Sequence, residues 1–269
     1  MEFENIYDMH THSDNSFDGN HSCILLCEGA AENSCKGIAI TDHCDIDAKD
    51  YDFRAFALNQ FVEANLAKAF FKDRLDVLVG IELGQGIYKK EKSLEILKEF
   101  DYDFVLGSIH NLEDKEDFYY LNYEEYDVKS LMRNYFEAVL ALSQWNKTDS
   151  IAHLTYPLRY LSKYKSIKFD ISDYYDIIDA IFETIIKNDK ALELNVSGLF
   201  NGLNDTLPNK ELIKRFHDMG GKYVTVGSDS HYYNKVSLGI KEGYNILLEC
   251  GFEQFTIFKK REPILMNIE

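Results

Sequence analysis

Apolar positions along this chain fall into two alternating rhythms. Short runs of strand character occupy residues 6–12, 37–43, 76–83, 104–110, 150–154, 191–196 and 223–231. Longer stretches with helical spacing lie between and after them, at 22–33, 54–72, 92–100, 124–145, 172–188, 209–219 and 240–250. Pro208 stands near the start of one of these helices, and Gly220-Gly221 terminates it. Regular alternation of strand and helix implies a parallel sheet, because a parallel partner is reached only through a crossover. Seven repeats suit an α/β fold closed as a TIM-like, distorted (β/α)7 barrel, with a doubly wound open sheet as the alternative. No composition shift or Pro/Ser-rich linker divides the chain, and only three prolines occur, so residues 1–269 read as a single domain.

Composition narrows the function classes. Hydrophobic residues make up 45% and charged residues 28%, which is the balance of a folded enzyme and not of a disordered chain. The net charge of −17 argues against a nucleic-acid partner, since neutralising phosphates along a polymer takes clustered Lys and Arg. A single phosphate can still bind an acidic protein where bound cations supply local positive charge. The run Lys259-Lys260-Arg261 is the one dense basic stretch and reads as a solvated face near the C-terminus. No apolar run approaches the length that spans a bilayer, and no signal-peptide pattern opens the chain, so no membrane partner is expected. Cys23, Cys27, Cys35, Cys44 and Cys250 are odd in number and form no CxxC pair, which reads as reduced thiols in a cytoplasmic protein.

The histidines change the picture most. Of eight, His10, His12, His43, His110, His153 and His231 lie at or near the C-terminal ends of predicted strands. His21 falls in a loop and His217 in a helix, and both read as ordinary surface or core residues. Barrel enzymes build their sites from the C-terminal ends of several strands, so this placement predicts convergence in space. In Asp8-Met9-His10-Thr11-His12 alternate side chains share one face of a strand, and Gly227-Ser228-Asp229-Ser230-His231 places Asp229 and His231 together by the same rule. Thr41-Asp42-His43, Gly80-Ile81-Glu82, Ser108-Ile109-His110 and Ala152-His153 each bring one imidazole or carboxylate to a strand end. Imidazole nitrogens with carboxylate oxygens suit zinc, iron or manganese. No G-x-S-x-G elbow and no P-loop is present to suggest other hydrolytic chemistry.

Taken in order, these motifs resemble the PHP (polymerase and histidinol phosphatase) superfamily over nearly the whole chain. The opening D-x-H-x-H-x-x-x-S appears as Asp8, His10, His12 and Ser16, followed by T-D-H, the Glu82 of G-I-E, S-I-H, I-A-H and G-S-D-S-H. The length is similar to the free-standing histidinol-phosphate phosphatase type. The resemblance implies two to three divalent metal ions, zinc, iron or manganese. One would take His10, His12, Glu82 and Asp229, and a second would share Glu82 and add His110 and His153. A third would use His43, His231 and Asp18, the last at a position where many relatives have histidine. Asp8 and Asp42 would orient ligating imidazoles.

The activity so implied is phosphomonoester hydrolysis by a hydroxide held between the two metals that share Glu82, with Asp229, Glu82 and His231 as the catalytic groups. L-Histidinol phosphate is the leading substrate, in histidine biosynthesis. Another small phosphate ester is the alternative within the class, and a barrel amidohydrolase or a non-catalytic metal-binding module are alternatives outside it. The partner is then a small molecule, and the oligomeric state is left open. Arg159, six residues after His153, is the expected phosphate-binding guanidinium. The segment 193–198 resembles a substrate-side motif of the family and brings in Asn195 and Ser197. Phe200 and Asn201 stand where many relatives have a basic residue, and Arg54 is a possible substitute.

Overall fold

The computed structural model describes residues 3–48 and 52–268. Its strands are β1 (Tyr7–Thr11), β2 (Gly37–Ile40), β3 (His43–Asp45), β4 (Asp76–Gly84), β5 (Phe104–Ser108), β6 (Ser150–Ile151), β7 (Ala191–Asn195), β8 (Val224–Gly227), β9 (Gln254–Lys259) and β10 (Glu262–Asn267). The helices are α1 (Cys23–Glu32), α2 (Phe53–Phe71), α3 (Lys90–Glu99), α4 (Val128–Trp145), α5 (Leu158–Leu161), α6 (Tyr175–Lys187), α7 (Lys210–Asp218) and α8 (Ile240–Cys250). β4 shows why these runs are strands: after Asp76 every residue of Val-Leu-Val-Gly-Ile-Glu-Leu-Gly is buried, as both faces of a strand in a helix-covered parallel sheet must be. Helix starts are set by side-chain caps. Ser22 accepts from Leu25 N at α1, Asp52 from Ala55 N at α2, and Asn209, just after Pro208, from Leu212 N at α7.

The strands pair in parallel in the order β1-β2-β4-β5-β6-β7-β8, with β3 also on β4. β2 and β3 are successive halves of one stave, interrupted at Thr41-Asp42: β2 pairs with the first half of β4, and β3 with the second, setting His43 opposite Glu82. The ring closes between β1 and the segment after β8, where Asp229 N donates to His10 O and His12 N to Ser230 O, each at 2.9 Å. The fold is the expected seven-stave TIM-like barrel, and the open-sheet alternative is set aside. Among the described residues no helix is long and apolar enough to cross a membrane.

Two local expectations change. The last barrel strand ends at Gly227 and not at His231, because Asp229 takes a left-handed conformation (φ 54°) that stops the pleat. The stave expected over 150–154 is a two-residue β6, and His153 follows it at φ 23°. The basic run 259–261 keeps Lys259 and Lys260 exposed, as expected of a solvated face, and it also pairs with the strand starts. Lys260 and Arg261 form the two-residue turn of an antiparallel hairpin, β9–β10, that covers the N-terminal ends of the strands. Lys259 Nζ lies 2.7 Å from Asp76, the first residue of β4. Lys260 N donates to Asp103 just before β5, and Arg261 holds Asp149 just before β6 through two bonds of 2.6 and 2.9 Å. Phe258 stacks on Phe104, and Phe255 on Tyr244, sealing this end with apolar rings.

Candidate metal centre

At the opposite, C-terminal end of the strands, Glu82 is the hub. It is fully buried, and its two oxygens face different groups of imidazoles. Oε1 lies 3.0 Å from His153 Nε2 and 3.2 Å from His110 Nε2. Oε2 lies 2.7 Å from His43 Nδ1, 3.6 Å from His10 Nε2 and 3.7 Å from His12 Nε2. Asp229 Oδ1 adds to the second group, 3.3 Å from His12 Nε2 and 3.8 Å from His10 Nε2. Asp18, 43% exposed, joins the outer edge, with Oδ2 3.1 Å from His231 Nε2 and Oδ1 3.6 Å from His43 Nε2. All nine residues expected to face metal are therefore together. His43 spans two groups, one ring nitrogen toward Glu82 and the other toward Asp18. His21 and His217 are elsewhere, on Tyr233 and on Phe252.

The donor set fits divalent ions. Nitrogen and oxygen donors at about 2.0–2.1 Å from a tetrahedral zinc stand roughly 3.3 Å apart, and the separations here straddle that value. Three triads, His10-His12-Glu82, His43-Glu82-His110 and His12-His43-His231, each keep their donor atoms within 4.8 Å of one another. Glu82 Oε2, His43 Nδ1 and His231 Nε2 are buried and make no hydrogen bond; the 2.7 Å approach of the first two is close, but its angles do not suit one. Buried donor atoms left without a hydrogen bond are what a cation site requires.

Electrostatics agrees. Burial opposes ionisation of Glu82, but His110, His43 and His10 outweigh it and hold the carboxyl well below its ordinary value. Asp229 is likewise buried and held well below by His10 and Arg159. Burial disfavours a charged His43, yet the Glu82 carboxylate beside it lifts its pKa to about 9. His12 moves the other way, lowered by burial and by His43 and His231.

Imidazole orientation comes from residues that sequence reasoning did not assign to it. Glu193 Oε1 lies 2.6 Å from His10 Nδ1, and its Oε2 accepts from His153 N at 2.7 Å. Asp45 Oδ1 lies 3.1 Å from His110 Nδ1, and the backbone carbonyl of Asp229 lies 3.0 Å from His231 Nδ1. Each partner turns the far ring nitrogen toward the centre. Asp8, expected in that role, is taken up by backbone and hydroxyl: Ser228 N and Oγ, Ser237 N and His10 N. Asp42 binds Ser13 and Ser16, and touches an imidazole only through Ser16 Oγ, 3.2 Å from His12 Nδ1. One signal for Glu193 was available: a charged residue between Leu192 and Leu194 in a buried strand.

The expected phosphate contacts divide. Arg159 reaches the site: Nη2 donates to Asp229 Oδ2 at 2.9 Å and to Ser197 Oγ at 2.5 Å. Asn195 is fully buried behind Asp229, its amide directed at Asp229 and Glu193, so it positions the two carboxylates. Ser197 ties Asn195 to Arg159. Arg54 is corrected outright: its exposed guanidinium forms a two-pronged pair with Glu99 on α3, which leaves the cluster without it. Phe200 and Asn201 line a cavity of about 470 Å³ with Asp229 and His231, and Lys235 supplies a cation to the same wall. On the other side Asp45 opens onto a cleft of about 690 Å³ that also takes in Phe17, Asp47, Gln85, Tyr88 and Asp117.

Comparison with known proteins follows the same lines. The PHP domain profile matches residues 8–197. A probable histidinol-phosphatase from Clostridium acetobutylicum is 29% identical over 259 residues, covering 95% of this chain and 98% of its own. A histidinol-phosphatase from Lactococcus lactis subsp. lactis is also 29% identical over 259 residues, covering 93% of each. The crystal structure of histidinol phosphate phosphatase from the same organism, complexed with zinc, L-histidinol and phosphate, superposes with a TM-score of 0.84 at 25% identity, covering 96% of this chain and 98% of that one. A putative histidinol phosphatase from Listeria monocytogenes shares the fold, with a TM-score of 0.75 at 19% identity. From Asp8 at the first metal-facing strand to Ser197 at the turn beneath Arg159, this chain belongs to the PHP domain family.

Proposed function

We propose that this chain is a metal-dependent histidinol-phosphatase that hydrolyses L-histidinol phosphate to L-histidinol and phosphate, acting as one domain in the cytoplasm. The observation that carries the reading is Glu82, one buried carboxylate whose two oxygens serve two groups of imidazoles. One ion would be held by His10, His12, Glu82 and Asp229, a second by Glu82, His110 and His153, and a third by His43, His231 and Asp18. When bound, such ions supply Lewis acidity toward phosphoryl oxygens and lower the pKa of bound water toward about 7. A single core running from Phe3 to Ile268 supports the one-domain reading, and five buried free thiols support the compartment.

The chain's own residues do the rest. Arg159 holds Asp229 at Oδ2 and turns Oδ1 toward His10 and His12, so Asp229 would serve the first ion and stand beside the attacking water. The Arg159 fork matches phosphoryl oxygens, and Lys235 adds charge along the adjoining wall. His231, at the edge of that cavity between Asp18 and Asp229, completes the set placed against the reacting atoms. The cleft beyond Asp45 suits a cationic leaving group: its rim carries six carboxylates, Asp45, Asp47, Glu113, Asp114, Glu116 and Asp117, against Lys89 and Lys115. Phe17, Tyr88 and Tyr120 offer ring faces there for an imidazole. Asn111 donates to Asp47 and accepts from Gln85, so the amide relay ends on the unpartnered Gln85 Oε1, an acceptor for an ammonium or ring N–H.

Phosphate release from L-histidinol phosphate by the purified protein, with chelator and with metals restored, tests the reading. Chelator-sensitive release with kcat/KM well above that for sugar and nucleoside monophosphates is the expected result. Bound metal without release overturns the substrate, and equal kcat/KM across the panel reduces the function to a general phosphomonoesterase. The family match and the complete donor set speak against the amidohydrolase and non-catalytic alternatives.

A further inference from the structure

Among the described residues, helix α2 is built inside out for a helix whose only neighbour is its own barrel. The side it turns inward is small along its middle and closed by an aromatic at its end: Ala57, Ala64, Ala67 and Phe71 are buried there, and Gln60 reaches the carbonyls of Ile40 and Gly80. The side it turns outward is large. Leu58, Val62, Leu66 and Phe70 are 42, 47, 62 and 64% exposed. Spaced four residues apart, they form one continuous ridge. A surface helix ordinarily places charge on that face, and a helix apolar all round is ordinarily covered. Between residues 58 and 70 the charges are Glu63, engaged by Asn15 Nδ2 at 3.0 Å, and Lys68, paired with Asp103 beside β5. In a chain of net charge −17, so sparse a face is the depletion of charge that marks an interface core.

We propose that α2 is the interface of a homodimer, its ridge packed antiparallel on the same ridge of a second copy. A two-fold axis at the level of Ala64 pairs Leu58 with Phe70 of the second copy and Val62 with Leu66, so every ridge position meets another ridge position. The area agrees. The four side chains expose roughly 400 Å² of apolar surface, a patch of the size that is often functional on a monomer. A standard dimer buries about 800 Å² per partner, about 65% of it apolar; with the exposed Ala55 and Ala69 the ridge supplies most of that. A membrane is a poorer occupant: the flanking Arg54, Lys68 and Arg74 are paired with Glu99, Asp103 and Glu28, and the chain as a whole is strongly anionic. A different protein partner would find almost no charge here by which to be selected.

The inference does not depend on the substrate, and its test does not either. Light scattering on the eluting full chain, from low to high micromolar concentration, should give twice the chain mass. Leu66→Glu should give the single-chain mass over the same range while its circular dichroism spectrum stays that of the wild type. A second variant guards against a folding artefact. All five native cysteines are buried, so Leu66→Cys introduces an accessible thiol, and a short bis-maleimide should convert that variant to a covalent dimer. A wild-type monomer throughout, a Leu66→Glu dimer, absence of the crosslink, or capture of the monomer by lipid vesicles would each overturn the proposal.

Discussion

Glu193 is a fully enclosed charge in an apolar strand, and its two oxygens explain why the strand tolerates it. One fixes His10 through Nδ1 and the other takes the backbone N–H of His153, so a single carboxylate orients residues facing both oxygens of Glu82. Glu193→Gln keeps the volume and removes the charge that holds the proton on His10 Nδ1. Metal affinity and kcat should each fall by about 10–100-fold, as when other outer partners of ligands are lost; a competition titration against a chromophoric chelator reads the first, and undiminished affinity removes the role. Glu82→Gln should exceed that range, because it empties two groups at once. Protons compete for the same nitrogens. Burial opposes a cation at His43, but Glu82 raises its pKa to about 9, and His10 and His110 are raised well above the usual value against the same burial by Glu193, Asp229 and Glu82. At pH 7 the metal-free centre therefore holds protons that an incoming ion must displace. Zinc affinity should rise with pH until His43 has titrated near pH 9, with proton release read as the dependence of the calorimetric heat on buffer ionisation. Heat and affinity unchanged from pH 6 to 9 would contradict the assignment.

The C-terminal hairpin makes the complementary case at the scale of an element. Asp149 is buried at the start of β6, where it accepts from Val105 N and is held by both prongs of Arg261. Arg261→Ala leaves that carboxylate with a distant Lys190 at 3.7 Å, and stability should fall by about 2 kcal/mol, discounted from a fully buried pair because Arg261 is partly exposed. Urea unfolding measures it, and kcat should not move. This element was not legible in the chain. A two-residue hairpin turn is recognised by Asn-Gly or Asp-Gly, which accept positive φ; here Lys260 and Arg261 adopt it, held by their bonds to Asp103 and Asp149. The seven staves were legible because each is an apolar run bounded by helices. Their ends were not: the backbone turns at His153 and Asp229 are left-handed at residues that do not announce it. For the site, residue type revealed the donors, since histidines at strand ends are conspicuous. The acceptors behind them were hidden, because Asp8, Asp42, Asp45 and Glu193 look alike in sequence and only packing decides which of them meets an imidazole.

Across the whole molecule the two ends of the barrel carry different duties. Charges at the C-terminal end converge without enough counterions, which suits metal binding, while charges at the N-terminal end are matched by Lys259 and Arg261 and hold the staves in register. This division can be measured as an independence of free energies. Zinc at about 100 times its Kd should add about 2.7 kcal/mol to the native state, which for a chain of this size raises Tm by roughly 5–10 °C. Arg261→Ala should lower Tm in the zinc-loaded and the zinc-free protein by the same amount, because sites without shared partners add to within about 0.5 kcal/mol. Glu82→Gln should do the reverse, removing the zinc increment while leaving the effect of Arg261→Ala intact. If the zinc increment shrinks in Arg261→Ala, the hairpin is setting the geometry of the centre through the strands. The N-terminal seal would then be part of the active-site scaffold and not a separate source of stability.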